Sequence, residues 1–366
     1  MFDQLLLNGK RYHKEQLIQL CWEKINHPNM SAWEAELYLF IQKWLDDSDT
    51  ITLKTSGSTG NAKYFNVSKQ AMVQSAQMTG RYFQLKAEQS ALLCLPVEHI
   101  AGQMMAVRAF VLGLNLIAVD PKGRVLASIS NEGIDFAAML PLQLYKLLFE
   151  EPSYQDSLEK INTLLIGGAS ISPVLLEAIQ SLKLAVYHSY GMTETLSHIA
   201  IRRLNTITQQ PFYKLLDGVE ALQDARGCLV INAPHLKVYK LISNDLVKLH
   251  NNNQIELLGR FDNVINTGGI KLNPEQLETK IAKFIAHRRF YISSIEDDKL
   301  GNKIILLIEG SALTEIELNS LELQIQSVLT QYERPKAIYF IKKFAKTVTG
   351  KVRRQARFPL NHFLSN

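Results

Sequence analysis

Apolar residues at helical spacing run from about Lys14 to Trp22 and from Ala32 to Trp44, so the first fifty residues predict two amphipathic helices. The texture then changes. Short apolar or β-branched runs follow, "SALLCLP", "LNLIAVDP", "IDFAAMLP", "INTLLIGG" and "LAVYHSYG", each ended by Gly, Pro or polar residues, as strands are. Between them lie helical patterns over Ser68 to Phe83, Ala101 to Leu112, Gln143 to Glu150 and Pro173 to Leu182. Ser172 before Pro173 reads as a helix cap with proline at the first helical position. Strand and helix in alternation predict an α/β layered domain with mostly parallel strands, where ligands gather at the carboxyl ends of the strands.

From Gly227 to Leu258 the pattern turns β-rich, in "GCLVINAP", "LKVYKLISND" and "LVKLHNNNQIELLG". Asp262 and Asn263 interrupt that run, and a new alternation follows. It reads strand, helix (Pro274 to Ala286), strand "RFYISSIED", strand "KIILLIEG", helix (Thr314 to Leu329) and strand "AIYFI". These roughly 105 residues suffice for an independent α+β domain, so the expected boundary separates residues 1–261 from 262–366.

Composition narrows the class. Of 366 residues, 46% are hydrophobic, enough to fill two cores. No run of about 18 uncharged apolar residues exists to span a bilayer, and "MFDQLLLNGKRYHKEQ" meets charge too early for a secretory leader, so a cytoplasmic protein is expected. Cys21, Cys94 and Cys228 are widely spaced in apolar segments and read as reduced core residues. The net charge of +5 lies wholly from Asp262 onward, where sixteen Lys and Arg face eleven Asp and Glu. The last 25 residues hold seven basic side chains and no acidic one, which is either a solvated tail or a surface for polyphosphate.

One loop carries the first chemical signal. "TSGSTGNAK", Thr55 to Lys63, offers backbone N–H groups at Gly57 and Gly60, hydroxyls at Thr55, Ser56, Ser58 and Thr59, and the Lys63 ammonium, a set suited to phosphate oxygens. It is not a Walker loop, because only two residues separate the glycines and Tyr64 follows the lysine. A plain Ser/Gly turn between two strands fits the loop alone equally well. Further along, "YGMTE" (Tyr190 to Glu194) closes a strand, "GRFDNVINTGGIKLNPEQLE" opens the second domain, and "KTVTGKVRR" lies near the end.

With "LLIGGAS" and "SND" between them, these motifs stand in the order seen in the ANL superfamily of adenylate-forming enzymes, which comprises acyl-CoA synthetases, adenylation domains and luciferases. The chain resembles that superfamily from about Ile51 to Arg354. The resemblance implies a large N-terminal domain of layered α/β subdomains, shortened at its start, and a small mobile C-terminal α+β domain. It implies attack of a carboxylate on the α-phosphate of ATP, with Mg2+ present, to give an acyl-AMP that CoA then converts to a thioester. By the same resemblance the 55–63 loop holds the departing pyrophosphate, Thr193 donates near the α-phosphate, and Glu194 helps hold Mg2+. Gly167, Gly168 and Ala169 lie against adenine opposite Tyr190, with Gly191 and Met192 beside it. Asp245 binds the ribose hydroxyls, although "LISND" keeps only the aspartate of the usual motif, and Arg260 reaches ribose or phosphate. Lys351 bridges carboxylate and α-phosphate during adenylation, as a mobile point charge can. Asp262 is the hinge, and Gly268, Gly269 and Lys271 line a tunnel for the pantetheine arm.

The acid is addressed by "LPVEHIAGQMMAVRAFVLG". His99 and Gln103 are four apart and so share a helix face, with Arg108 on the same segment; a buried helix with one polar edge accounts for them too. With "MLPLQLYKLL" and "IGGASI", the stretch resembles the branch of the superfamily that ligates o-succinylbenzoate to CoA in menaquinone synthesis. That acid is an aromatic dicarboxylate, and Arg108, Gln103 and Ser170 would serve its second carboxylate and its oxo group, with His99 at the pocket mouth. The implied partners are small molecules, namely acid, ATP and CoA, with no nucleic acid. Relative to the superfamily only two helices precede the phosphate loop, and pairing of two copies is one way to cover the face so exposed. Another acid-activating enzyme, such as one loading a carrier protein, shares every ATP residue; a non-catalytic nucleotide binder would need neither Glu194 nor Lys351.

Overall fold

The structure is a computed structural model that describes residues 3–55, 63–127, 133–206, 211–285, 288–345, 352–355 and 357–358, with the side chains of Lys54, Thr55, Lys63 and Pro152 outside the description. The chain divides into two compact units. The first comprises residues 1–171, 175–220 and 232–240, and the second comprises 172–174, 221–231 and 241–366.

In the first unit the strands are β1 (Gln4–Leu7), β2 (Lys10–His13), β3 (Thr50–Thr55), β4 (Lys63–Ser68), β5 (Ser90–Leu93), β6 (Asn115–Ala118), β7 (Ile134–Met139), β8 (Ile161–Ile166), β9 (Ala185–Gly191), β10 (His198–Arg203) and β11 (Phe212–Leu215). The main sheet has the order β11-β10-β9-β8-β7-β5-β6-β1-β2. Its centre is parallel, as the alternating sequence predicts. The helices are α1 (Lys14–Ile25), α2 (Ala32–Leu45), α3 (Lys69–Phe83), α4 (Ile100–Leu112), the short α5 (Pro141–Tyr145) and α6 (Gln155–Glu159), and α7 (Pro173–Gln180). The last five residues of the predicted Gln143 to Glu150 helix widen into a π-turn, Lys146–Glu150.

Both faces of the central strands are buried, which explains their unbroken apolar runs. Side chains alternate between two cores: Ala91, Leu93, Phe136, Ala138 and Leu165 pack with α1 to α4, whereas Leu92, Ala137, Met139, Leu164 and Ile166 pack with α7 residues Leu175 and Ile179. Cys21, Cys94 and Cys228 are free and buried, as expected of core cysteines.

One element escaped the sequence reading. "LLLNGKRYH" forms a hairpin at the sheet's end, with Asn8 at φ 49 and Gly9 at φ 79 in the turn. An Asn-Gly pair tolerates those positive φ values. The Asn8 side chain accepts from the Ala118 N–H, and Asn115 Oδ1 accepts from the Gly9 N–H, which ties the turn to β6.

The second unit carries β12 (Glu220–Gln223), β13 (Cys228–Ala233), β14 (Val238–His250) and β15 (Gln254–Arg260), neighbours in that order. Here "LKVYKLISND" and "LVKLH", read as separate runs, are one strand. Beyond the 3-10 turn Phe261–Asn263 lie a hairpin, β16 (Ile265–Thr267) and β17 (Ile270–Leu272), then α8 (Pro274–Ile281), β18 (Phe290–Asp297), β19 (Gly301–Glu309), α9 (Glu315–Val328) and β20 (Ala337–Ile341). The last three strands form their own sheet, packed on one face with Leu277, Ile281, Leu321 and Ile325 and on the other with Phe344 and Phe358. Among the described residues no helix is long and apolar enough to cross a membrane.

Candidate active site

In the first unit the motifs meet at the carboxyl ends of β8 and β9. These strands run parallel with Ile166 opposite His188, so the loop Gly167–Gly168–Ala169 lies beside the end of β9. Gly167 leaves no room for a Cβ because Ser189 Oγ occupies the space, and that hydroxyl donates to the Ile166 carbonyl at 3.1 Å. Gly168 has φ +82, a conformation glycine adopts readily. Ser170 is exposed.

Tyr190 and Gly191 end β9, and Thr193–Thr195 make a single 3-10 turn. The turn closes on itself through Met192 N–H donating to Thr195 Oγ1 at 3.0 Å and Thr195 Oγ1 donating toward Ser197 O at 2.8 Å. Gly191 pairs with His198, and a Cβ at Gly191 would lie 2.7 Å from His198 Cα and against the Ser197 carbonyl. The glycine of "YGMTE" is thus required by the close approach of β10. Thr193 is half-buried and Glu194 exposed.

Arg108 is the unexpected feature. It lies on α4, 2% exposed, where Nε donates to Thr79 Oγ1 at 3.2 Å and an Nη donates to Ser197 Oγ at 2.7 Å. His198 closes the ring, with Nε2 3.2 Å from Thr79 Oγ1 and Nδ1 3.2 Å from Ser197 Oγ. One proton assignment satisfies every member: Thr79 donates to Ser75 O, His198 Nε2 donates to Thr79, and Ser197 donates to His198 Nδ1. Burial, helped by the Arg108 charge, pushes His198 well below its ordinary range, so it is neutral. Burial alone brings Arg108 down to about 10, which leaves it a cation at physiological pH. Among the described residues no carboxylate pairs with it.

His99 is the extended N-cap residue of α4, its carbonyl accepting from the Gln103 N–H one turn on at 3.2 Å, while the Gln103 side chain turns back to donate to Val97 O at 2.9 Å. Gln103 Oε1 is buried with no hydrogen-bond partner among the described residues. The tight turn follows from Gly102, where a Cβ would stand 2.6 Å from the Pro96 carbonyl carbon.

The segment "TSGSTGNAK" links β3 to β4, with Thr55 and Lys63 as register partners. Ser56, Gly57, Ser58, Thr59 and Gly60 lie outside the described residues, as does Lys351.

The second unit gathers another set. Asp245 on β14 is the register partner of Arg260 on β15, and Arg260 bridges Asp245 at 3.1 Å and Asp262 at 2.8 Å. Asn244 donates to both Asp262 oxygens. The expected ribose aspartate, ribose arginine and hinge aspartate are therefore one ion-pair network. Gly268 and Gly269, both at positive φ, make the β16–β17 turn, and Lys271 is exposed on β17 at the rim of a cavity of about 650 Å³ shared with Arg226, Phe261 and Asn273. Arg354 of "TGKVRR" anchors its segment to α8 through Glu275 and Glu278.

Sequence reasoning passed over Thr79, Ser197, His198, His188 and Tyr213. For His188 a signal existed, since it lies two residues before Tyr190 and so on the same face of β9. Among the described residues no group of three or more His, Cys, Asp or Glu could hold a metal ion. Mg2+ commonly binds through one or two carboxylates plus substrate phosphates, so it does not require such a group.

A layered α/β unit with a glycine loop at a strand's end, "YGMTE" beside it and a smaller α+β sheet unit defines an adenylate-forming acyl-CoA ligase. The family model for AMP-binding enzymes matches residues 17–221, and the chain belongs to that family. It is 25% identical over 342 residues to a probable 2-succinylbenzoate–CoA ligase of Mycobacterium tuberculosis, covering 87% of this chain and 86% of that one. The 2-succinylbenzoate–CoA ligase of Staphylococcus epidermidis is 26% identical, with 82% and 68% covered. A crystal structure of an acyl-CoA synthetase (AMP-forming)/AMP-acid ligase II-like protein from Dyadobacter fermentans is 38% identical, with TM-score 0.62 over 91% of this chain and 95% of that one. O-succinylbenzoate coenzyme A synthetase of Bacillus subtilis, in complex with ATP and magnesium ion, shares the fold at TM-score 0.70 and 22% identity, with 83% and 68% covered.

Proposed function

We propose that the chain ligates o-succinylbenzoate to CoA through an acyl-AMP intermediate. The observation that carries the choice of acid is Arg108, a buried cation with two neutral hydroxyl partners and no carboxylate partner among the described residues. A buried unpaired charge is costly, and a second carboxylate on the substrate would relieve it. Ser197, half-buried, accepts from Arg108 and gives its own proton to His198 Nδ1, so the guanidinium itself would be the group that meets the acid. An aromatic dicarboxylate supplies the anion, and the relatives named for 2-succinylbenzoate support that acid.

Two anions must approach each other for adenylation. Thr55, Ser56, Gly57, Ser58, Thr59, Gly60 and Lys63 would take the pyrophosphate oxygens and Thr193 the α-phosphate side. Glu194 is the residue that would hold Mg2+, which when bound supplies neutralising charge between carboxylate and phosphate. Adenine would lie between Gly167–Ala169 and Tyr190, and ribose against Asp245 and Arg260. Lys351 would then stabilise the charge that develops in the adenylation transition state. A swing about Asp262 would withdraw it and present Gly268, Gly269 and Lys271 to the pantetheine arm; domains meeting at 261/262 follow from this. ATP, CoA and the acid are thus the proposed partners, in the cytoplasm, with pairing of two copies tested by sedimentation.

The deciding experiment supplies ATP, CoA and a panel of acids and follows pyrophosphate and thioester. Both products with o-succinylbenzoate are expected. Pyrophosphate without thioester would instead mean a carrier-loading enzyme, and neither product with any acid would mean a non-catalytic nucleotide binder.

A further inference from the structure

Beside the nucleotide loops lies a polar bracket for which the adenylation chemistry has no use. His188, Arg202 and Tyr213 stand on three neighbouring strands, β9, β10 and β11, with His188 and Arg202 direct register partners. His188 Nε2 lies 3.1 Å from the Ala169 carbonyl oxygen, which can only accept, so Nε2 carries the hydrogen. Nδ1 is left with its lone pair and accepts from the Tyr213 hydroxyl at 2.6 Å. Burial holds this imidazole neutral by bringing it down to about 4, and the nearby Arg202 charge acts in the same direction. Tyr213 is 5% exposed. Its ring meets Tyr190 edge-on at 6.3 Å between centroids and carries the Arg202 guanidinium 5.1 Å above it.

Ala169 and Tyr190 are the two walls between which the proposed function places adenine. They belong to different elements, the loop after β8 and the end of β9, and the loop contains two glycines, one at positive φ. Such a wall holds its place only if something outside it fixes the backbone. Tyr213 touches both sides: through His188 it grips the Ala169 carbonyl, and through its ring it supports Tyr190.

We propose that Tyr213 is a positioning residue for adenine recognition, setting the separation of the two walls through the His188 hydrogen-bond relay and the Tyr190 ring contact. This rests on the reading that residues 167–169 and Tyr190 hold adenine. Tyr213 does not touch the nucleotide; it acts by keeping the slot at the width a flat base fills.

The test uses the full chain, with AMP and inorganic tripolyphosphate binding measured by calorimetry and the KM values for ATP and acid taken from pyrophosphate release. Tyr213→Phe keeps the ring and removes only the hydroxyl. It is expected to weaken AMP binding and raise the KM for ATP about tenfold, the weight of one buried hydrogen bond, while tripolyphosphate binding and the KM for the acid hold. His188→Gln can still donate to Ala169 O and accept from Tyr213, so it should keep near-normal AMP affinity, whereas His188→Ala should lose as much as Tyr213→Phe. Adding Tyr213→Phe to His188→Ala should cost nothing further, because the relay is already cut. Unchanged AMP binding in Tyr213→Phe, additive losses in the double variant, or equal loss of AMP and tripolyphosphate would each overturn the proposal while leaving the adenine reading in place. A wild-type protein that binds tripolyphosphate but not AMP would remove the adenine reading and the proposal together.

Discussion

Replacing Arg108 by Met separates the substrate role of this residue from any role in folding. Burial depresses the guanidinium well below its ordinary range, to about 10. A folded pKa lowered below the unfolded one means that the charged form is disfavoured by folding, so the full cost applies below about pH 10 and fades as pH rises above it. The difference corresponds to about 3 kcal/mol at pH 7. Against it stand two hydrogen bonds to Thr79 and Ser197, together worth about 2–3 kcal/mol net. Thr79 keeps Ser75 O and His198, and Ser197 keeps His198, so neither hydroxyl is left without a partner. The two contributions nearly cancel, and Met fills a similar volume. Thermal unfolding should therefore move by no more than about 2–4 °C, the shift of roughly 1 kcal/mol in a unit of this size. Activity should not be spared. With the cation gone, the second carboxylate of the acid loses a charge-assisted interaction of about 1.5–3 kcal/mol, so the KM for o-succinylbenzoate should rise about ten- to hundredfold with the KM for ATP unchanged. The assay is pyrophosphate release with each substrate varied in turn, beside a melting curve. A variant whose acid KM is unchanged, or whose acid and ATP KM values rise together, would refute the assignment.

Other outcomes follow from particular contacts. Gly191→Ala would drive a Cβ against the Ser197 carbonyl and 2.7 Å from His198 Cα, so β9 and β10 must part; a loss of about 2 kcal/mol or more in chemical unfolding is expected, with adenylation lost as well. His188 is held neutral down to about 4, so its contribution to stability is complete above its ordinary 6.5 and is lost as pH falls toward 4; His188→Gln should flatten the acid limb of a stability curve between pH 6.5 and 4. Lys351→Ala should slow adenylation far more than thioester transfer from preformed acyl-AMP, read from the two half-reactions, and equal losses would contradict its assigned role.

Most of the layered core was legible because its central strands are buried on both faces and so appear as bare apolar runs, as in "INTLLIGG" and "IDFAAMLP". The α+β elements beyond Asp262 were equally legible, with caps such as Thr314 with Glu317 marking a helix start. The 13-residue strand β14 was split in two because "ISND" has the composition of a turn, while its register with β15 shifts between Leu246 and Val247 to keep Asp245 opposite Arg260. The motif residues were readable from order along the chain; their partners were not. Nothing in the sequence pairs Arg108 with Thr79, 29 positions away, or with Ser197, 89 positions away. His188 and Tyr213 likewise meet only because β10 brings β9 and β11 onto one face.

The most direct test of the substrate assignment compares o-succinylbenzoate with benzoylpropionate, the same keto acid lacking the ring carboxylate, in the complete reaction with ATP, Mg2+ and CoA. The reading from Arg108 expects thioester and pyrophosphate in equal amounts from o-succinylbenzoate, and a kcat/KM for benzoylpropionate lower by about ten- to hundredfold. Equal use of the two acids by the wild-type protein would contradict it.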